Sequence, residues 1–469
     1  MFIGLTSRYV PAGRAAEPTG PLSVGAATSN ITPALGVSIS GHMADRKATH
    51  IHDELHARCL VFDNSRTRVA IVVCDSCMIP GDIFDEAKAL AQEETGILAE
   101  HMLMAATHTH SAATSTACFQ SEPDAEYRRF LVRRIADGIR RAVNNLAPAR
   151  IGWGSGSKPE HVFNRRWRMK PGTIPPNPFG KQDQVKMNPP QGSPDLLEPA
   201  GPTDPELPVI SVQSRDGRPI TLLANYALHY VGGNGAGDIS ADYFGMFADR
   251  VQQLLNADRL DPPFVGIMTN GASGNINNIN FRQRGPARKP YEQMRLVAHD
   301  VAAEAVRVVK DITYTDQVVL AARQERIRLG VRRPTDDEAM RAQMILAAAT
   351  AANKPLTSLE QVYANETEQL ADYPEEVELI LQTLRIGDIA LVAIPCEIFV
   401  EIGLELKEKS PFKPTIVVNL ANGYNGYLPT AEHHALGGYE TWRARSSYLE
   451  TGAAAVIVER MVSLLNQMK

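Results

Sequence analysis

Cysteine is scarce in this chain of 469 residues: Cys59, Cys74, Cys77, Cys118 and Cys396 make five, an odd number. That count argues against a disulfide framework and fits a reducing compartment. Cys74-Asp75-Ser76-Cys77 has Cys-x-x-Cys spacing, but it follows the apolar run Val69 to Val73, and the other cysteines supply no second pair for a zinc ribbon. Long apolar runs are missing too, since none approaches the eighteen or so residues that a membrane span requires. The first twenty residues hold several Gly and Pro and no continuous apolar core of a secretory signal, so a cytoplasmic protein is expected. Basic excess is absent: 48 Lys and Arg face 53 Asp and Glu, for a formal net charge of −5. This leaves no electrostatic case for a nucleic-acid partner. There is no internal repeat, and 44% hydrophobic with 22% charged residues excludes disordered and fibrous classes.

What is present is an alternation of apolar strand-like runs with amphipathic helical runs, the pattern of an α/β protein. Arg58 to Asp63 and Val69 to Val73 read as strands around a turn at Asn64-Ser65. Ile83 to Glu94 reads as a helix with Asp82 as N-cap and Gly96 just past its end. A strand leads into His108, and a long helix from Asp124 to Asn145 follows. Strands are expected at Val209 to Val212, Ile220 to Ala224, Val377 to Leu384, Ile389 to Ile394 and Thr415 to Leu420. Helices are expected at Ala241 to Leu255, Gln293 to Val309, Asp336 to Ala352, Glu401 to Lys407 and Tyr448 to Leu465. Between Lys170 and Pro208 lie about a third of the 31 prolines with little periodic hydrophobicity, which suggests a loop or lid inside one domain covering residues 1–469.

Residues able to bind a metal recur just after buried strand-like runs. His108 and His110 follow Met102 to Ala106, His229 follows Ile220 to Leu228, Glu397 follows Ile389 to Ile394, and Tyr427 follows Thr415 to Leu420. Sites of α/β proteins gather at strand ends, where distant loops converge. Two histidines and a glutamate with an open or weakly filled position suit hydrolytic zinc chemistry. If His108 and His110 sit on a strand, their rings share a face about 7 Å apart at Cα. Asn164-Arg165-Arg166-Trp167-Arg168 offers guanidinium groups to an acidic or carbonyl-bearing substrate, or forms a surface ion-pair patch. The turn Asn270-Gly271-Ala272-Ser273-Gly274-Asn275 offers backbone amides to an oxyanion, or is a simple turn. It is not the Gly-x-Ser-x-Gly elbow of a serine hydrolase.

A competing cluster, His50, His52, Asp53 and His56, lacks the His-x-His-x-Asp-His spacing of metallo-β-lactamase-like enzymes, so His52-Asp53 reads as a supporting or structural pair. Arg128, Arg129, Arg133, Arg134, Arg140 and Arg141 stud a helix whose other side carries Leu131, Ile135 and Ile139. A membrane-surface helix has this composition, but a solvated basic face over an ordinary core contact explains it more simply.

In order along nearly the whole chain, several short motifs resemble the neutral/alkaline, non-lysosomal ceramidase family. They are Ile31-Thr32-Pro33 with Gly41, Thr107-His108-Thr109-His110-Ser111, Asn164-Arg165, the strand ending in His229, and Ser240-Ala241-Asp242-Tyr243. The Gly274-Asn275 turn, Glu397, Gly426-Tyr427 and Tyr439 complete the series. The resemblance implies a large mixed-sheet catalytic domain of the α/β class in which His108, His229, Glu397 and Tyr427 ligate one zinc ion. It also implies that His110, Arg165 and Tyr439 surround the scissile bond of an N-acylated small molecule or lipid amide such as ceramide. Family members carry Gly-Asp-x-Ser-Pro-Asn where this chain reads Gly274-Asn275-Ile276-Asn277-Asn278, so no serine nucleophile stands there. They also continue into a C-terminal β-sandwich, whereas these residues end about thirty after Tyr439, so a catalytic domain without the sandwich is expected. Zinc-dependent ester or lactone hydrolysis, or a binding scaffold that has lost turnover, are the alternatives.

Overall fold

The computed structural model describes residues 20–351 and 355–469. The first nineteen residues, which carry most of the expectation about a secretion signal, lie outside them, as does Ala352. Eight strands form one mixed sheet in the order Val265–Asn270, Pro219–Tyr226, Glu206–Ser214, Ala147–Ser157, Ser23–Asn30, His56–Asp63, Arg68–Cys74 and Met102–Ala106. Four more form a second sheet in the order Leu320–Gly330, Glu376–Ile386, Ile389–Ala393 and Thr415–Val418. Within these two sheets most pairings are antiparallel and three are parallel: Arg68–Cys74 with Met102–Ala106, Pro219–Tyr226 with Val265–Asn270, and Ile389–Ala393 with Thr415–Val418. A parallel pair needs a crossover. The helices Gly81–Thr95, Asp242–Leu254 and Val400–Lys409 lie in these three connections.

The two sheets pack face to face. Leu60, Ile71, Leu103 and Ile210 from the first meet Leu384, Leu391 and Ile416 from the second in one buried cluster. Helices cover the outer faces, which is why strands such as Met102–Ala106 are buried on both sides and read as unbroken apolar runs. Helices Gly81–Thr95 and Ala125–Asn144 press Phe84, Leu131, Ile135 and Ile139 onto Val61, Val72 and Met104. Helices Asp242–Leu254 and Glu292–Val309 cover the other half of the large sheet with Phe247, Val297 and Val301. Helices Val400–Lys409 and Ala453–Asn466 cover the second sheet with Leu406, Ile457 and Met461.

The apolar stripe of Ala125–Asn144 is therefore core, and several of its arginines bind protein: Arg133 pairs with Glu94 at 2.7 Å, and Arg134 Nε donates to the Asn30 carbonyl at 2.9 Å. Among the described residues no helix is long and apolar enough to cross a membrane. Asp124 caps its helix by accepting from Tyr127 N at 2.7 Å, and Gly96 ends its own with φ +72. Asp82 is not an N-cap, because Gly81–Thr95 begins after Pro80. The last helix starts at Ala453 rather than Tyr448, since 448–452 lies against the edge strand and turns. The proline-rich stretch supplies two strands, Val185–Met187 and Leu196–Pro199, on either side of Arg166–Met169. Leu391 has no exposed surface, so Leu391→Ala is expected to lower stability by about 2–5 kcal/mol. The check is the urea midpoint at unchanged slope.

Candidate metal centre

Each of the three crossover units delivers one group to a common point. His108 follows Met102–Ala106, His229 follows Pro219–Tyr226, and Glu397 follows Ile389–Ala393. His108 Nε2 lies 3.0 Å from His229 Nε2 and 3.1 Å from Glu397 Oε2, and His229 Nε2 is 3.7 Å from the same oxygen. All three side chains are at least 95% buried. Each imidazole donates through its other nitrogen to a main-chain carbonyl, His108 Nδ1 to Cys77 at 2.7 Å and His229 Nδ1 to Ser273 at 3.0 Å. With Nδ1 protonated, the two neutral rings turn lone pairs toward each other and toward a carboxylate oxygen that has no hydrogen-bond partner.

Three acceptors in such contact repel unless a cation or a proton lies between them. Ligand atoms about 2.0–2.1 Å from a tetrahedral zinc are about 3.3 Å apart, close to the separations observed. The donor set, with its carbonyl-anchored imidazoles, therefore fits a zinc ion. Burial, His108, His110 and Arg165 hold the His229 imidazole well below its ordinary pKa, so it stays neutral, the ligating form. Burial also lowers His108, but the Glu397 carboxylate and Cys77 outweigh it and raise the ring. The pocket thus draws positive charge to that pair.

The loops are tied to one another by polar side chains. His108 sits at φ +76, outside any strand, with its N–H on the Ser76 carbonyl at 2.8 Å. Thr109 points away and donates to the Ser240 carbonyl at 2.7 Å. His110 returns so that its Nε2 is 3.2 Å from His108 Nε2, with its ring stacked on Tyr230 at 3.7 Å. The two rings do meet, through a left-handed turn rather than strand alternation. A Cβ on Gly41, at φ +92, would fall 2.4 Å from His110 Nδ1, so glycine is required there. Asp242 accepts from the Val231 and Gly232 amides at 3.0 and 2.9 Å and so fixes the loop beyond His229. Asn270 is the hub: it donates to the Thr107 carbonyl, accepts from Ser273 Oγ, and its carbonyl accepts from Asn419 N.

Around this centre, Arg165 donates to Glu440 Oε1 at 3.0 Å, to the Gly274 carbonyl at 2.7 Å and to the Tyr427 hydroxyl at 3.1 Å. Tyr427 pairs with Glu397 across two short parallel strands, and Tyr439 packs edge-on to the Tyr427 ring at 5.9 Å. A family model for the neutral/alkaline non-lysosomal ceramidase N-terminal domain matches residues 22–288, more than half of the chain. This chain belongs to that family. Its members are hydrolases of an amide bond. The crystal structure of the neutral ceramidase from Pseudomonas aeruginosa superposes with a TM-score of 0.73 at 20% identity, covering 96% of this chain and 74% of that one. A ceramidase structure described as complexed with C2 gives 0.71 at 19% identity, over 96% and 75%. Both show the same mixed α/β fold. No curated protein sequence matches.

Five of the seven site residues expected of this ceramidase-family chain, His108, His110, Glu397, Tyr427 and Tyr439, line one small cavity of about 30 Å³, and the other two contact lining residues, His229 meeting His108 and Arg165 bonding the Tyr427 hydroxyl. Two amides of the glycine turn are engaged by the backbone: Gly271 N donates to the Tyr226 carbonyl and Gly274 N to the Ile398 carbonyl, both at 2.8 Å. Its task is to aim the Ser273 carbonyl at His229, and a Cβ on Gly274 would lie 2.7 Å from the Glu397 carbonyl. Asn277 is structural as well, donating to Asn188 Oδ1 at 2.7 Å. His52 and Asp53 form a pair at 2.7 Å, and Asp53 accepts from Ala241 N beside Asp242. Cys74 and Cys77 are free thiols, and Cys77 Sγ lies 3.7 Å from His108 Nδ1.

Two residues escaped the sequence reading. Tyr424 donates to Glu397 Oε1 at 3.3 Å, which leaves Oε2 for the imidazoles. The doubled Asn-Gly-Tyr of Asn422 to Tyr427 was its signal. Glu440 has no exposed side-chain surface and binds Arg165 and Arg166 at 3.0 and 2.7 Å. Burial pushes its pKa up, but the two guanidinium groups outweigh burial and hold it below the ordinary 4.5. Such a carboxylate contributes stability above its unfolded pKa and loses it as pH falls through the folded value. Glu440→Gln is expected to cost about 3–5 kcal/mol at pH 7 by leaving two buried cations uncompensated. Urea titrations of both proteins should show the difference shrinking toward acid pH.

Proposed function

We propose that this chain hydrolyses the amide bond of an N-acylated substrate with one zinc ion held by His108, His229 and Glu397, and by Tyr427 as a weak fourth ligand. The observation that carries this reading is the convergence of two imidazole Nε2 atoms and one unpartnered carboxylate oxygen within 3.0–3.7 Å. Zinc there supplies Lewis acidity toward the amide carbonyl and a water nucleophile at neutral pH. Burial and Glu397 raise the Tyr427 phenol well above its ordinary pKa, which favours a neutral, weak ligand over a phenolate.

The remaining work falls to the chain's own side chains. His110 Nε2, at the rim of the ligand cluster, accepts a proton and passes it to the leaving amine. Arg165 is held through Nε and Nη2, so Nη1 is the guanidinium nitrogen without a protein partner among the described residues. In this reading Nη1 donates to the oxygen on which charge develops, assisted by Tyr439, which lines the cavity. Gly41 keeps the His110 ring in place, and Glu440 keeps Arg165 in place.

Ceramide and other lipid amides are the first substrates to test, with matched esters alongside. Amide turnover that chelation abolishes and zinc restores supports the reading, turnover of esters alone moves it to an esterase, and bound zinc without turnover of either makes the chain a scaffold. His229→Ala is expected to lose metal and activity together. His110→Ala should keep its zinc by elemental analysis and lose about 10²–10⁴-fold in kcat. Unchanged activity in either variant overturns the assigned roles.

A further inference from the structure

Behind the segment that carries Tyr439 and Glu440 lies a second cavity of about 380 Å³. Residues 177–183 of the proline-rich stretch, the first turn of Asp336–Ala351, the end of Ala431–Leu436 and residues 441–443 bound it, and none of the four proposed zinc ligands lines it. Its volume is that of a small-molecule site.

The cavity holds cationic charge that its own carboxylates do not compensate. Arg332 spends four of its five N–H groups on neutral oxygens: the carbonyls of Leu449, Thr441 and Ser447 at 2.8, 3.0 and 2.7 Å and Ser447 Oγ at 2.9 Å. Arg443 gives Nη1 to Glu338 at 2.8 Å, while its buried Nε and Nη2 have no hydrogen-bond partner. Lys181 is exposed at the mouth and makes no ion pair among the described residues. The two carboxylates present are already engaged, Asp183 by Trp442 Nε1 at 2.7 Å and Asn177 Nδ2 at 2.9 Å, and Glu338 by Arg443 and the Thr335 amide.

His434 also lies on the cavity wall. Burial, then Arg332, Arg166 and His433, push its imidazole down to about 3. Burial and Arg443 likewise push Arg332 down to about 10, and no carboxylate opposes the shift. Two partly buried guanidinium groups on one cavity wall, with a lysine at the entrance, make a cationic pocket suited to a planar or tetrahedral oxyanion.

We propose that this cavity binds a small oxyanion, carrying phosphate or carboxylate groups, between Lys181, Arg332 and Arg443. The site is separate from the zinc ligands and does not rest on the hydrolytic reading. Trp442 lies on its wall and meets Tyr439 at 6.0 Å between ring centroids.

The test uses the whole purified chain with inorganic phosphate and citrate as probes, against sodium chloride at matched ionic strength. Thermal melts and titration calorimetry should show saturable binding of at least one probe, with Tm raised by about 1–3 °C near saturation. The better probe tells phosphate from carboxylate chemistry. Lys181→Glu and Arg443→Met should each weaken that binding about tenfold or more. Arg332 is left alone because its four bonds clamp residues 441–449. Circular dichroism and the unliganded Tm check that both variants fold. No saturable effect beyond chloride, or the same affinity in both folded variants as in the parent, overturns the proposal.

Discussion

Two buried imidazole nitrogens face each other at 3.0 Å, and neither is free to turn away because the opposite nitrogen of each ring is bonded to a main-chain carbonyl. A carboxylate oxygen completes the contact. Isolated from the rest, this cluster is unfavourable, since three acceptors are pressed together in a region of low dielectric. It persists because Asn270, Thr109, Asp242 and Tyr424 fix the loops from which the three groups project. A centre so constrained before any ligand arrives is pre-organised, and a dication bound there would relieve the mutual repulsion of its donors.

The architecture explains why the three groups can come from residues 108, 229 and 397. Each lies just beyond the carboxyl end of a parallel strand whose connection crosses over through a helix, so each loop opens on the same side of its sheet. Two of these units belong to the large sheet and one to the smaller sheet stacked on it. The sheets are joined near that end by Asn225 Nδ2 to the Val417 carbonyl at 3.0 Å and by Ala106 N to the Leu420 carbonyl at 3.2 Å. Residues 439 and 440 complete the surround with Tyr439 and with the carboxylate that holds Arg165.

Much of this was legible from residue order. Strands buried on both faces announce themselves as unbroken apolar runs, and polar residues at their ends stood out as site candidates. The strand Leu320–Gly330 was missed because its buried positions change parity, Leu320 and Ala322 first and then Ile327 and Leu329, with Arg323, Glu325 and Arg326 between them, so no simple alternation shows. Helix Leu359–Ala371 was missed although Ser358 and Gln361 form a capping box, since its polar residues blur the apolar stripe. That the glycine turn also aims the Ser273 carbonyl at His229 could not be read, because backbone pairing is invisible in a list of residues.

Local chemistry therefore determined the helices and strands, the buried runs and the inventory of imidazole, carboxylate, phenol and guanidinium groups at their ends. Those properties depend on neighbours within a few residues. Which of those groups meet was a matter for the tertiary structure alone. The Tyr424 hydroxyl rather than that of Tyr427 bonds the Glu397 carboxylate, Glu440 holds two arginines 275 and 274 positions away, and the bonds of Arg332 go to carbonyl and hydroxyl oxygens. Hydrogen-bond geometry and charge compensation act over a few ångströms in space, and packing two sheets face to face sets those distances without regard to separation along the chain.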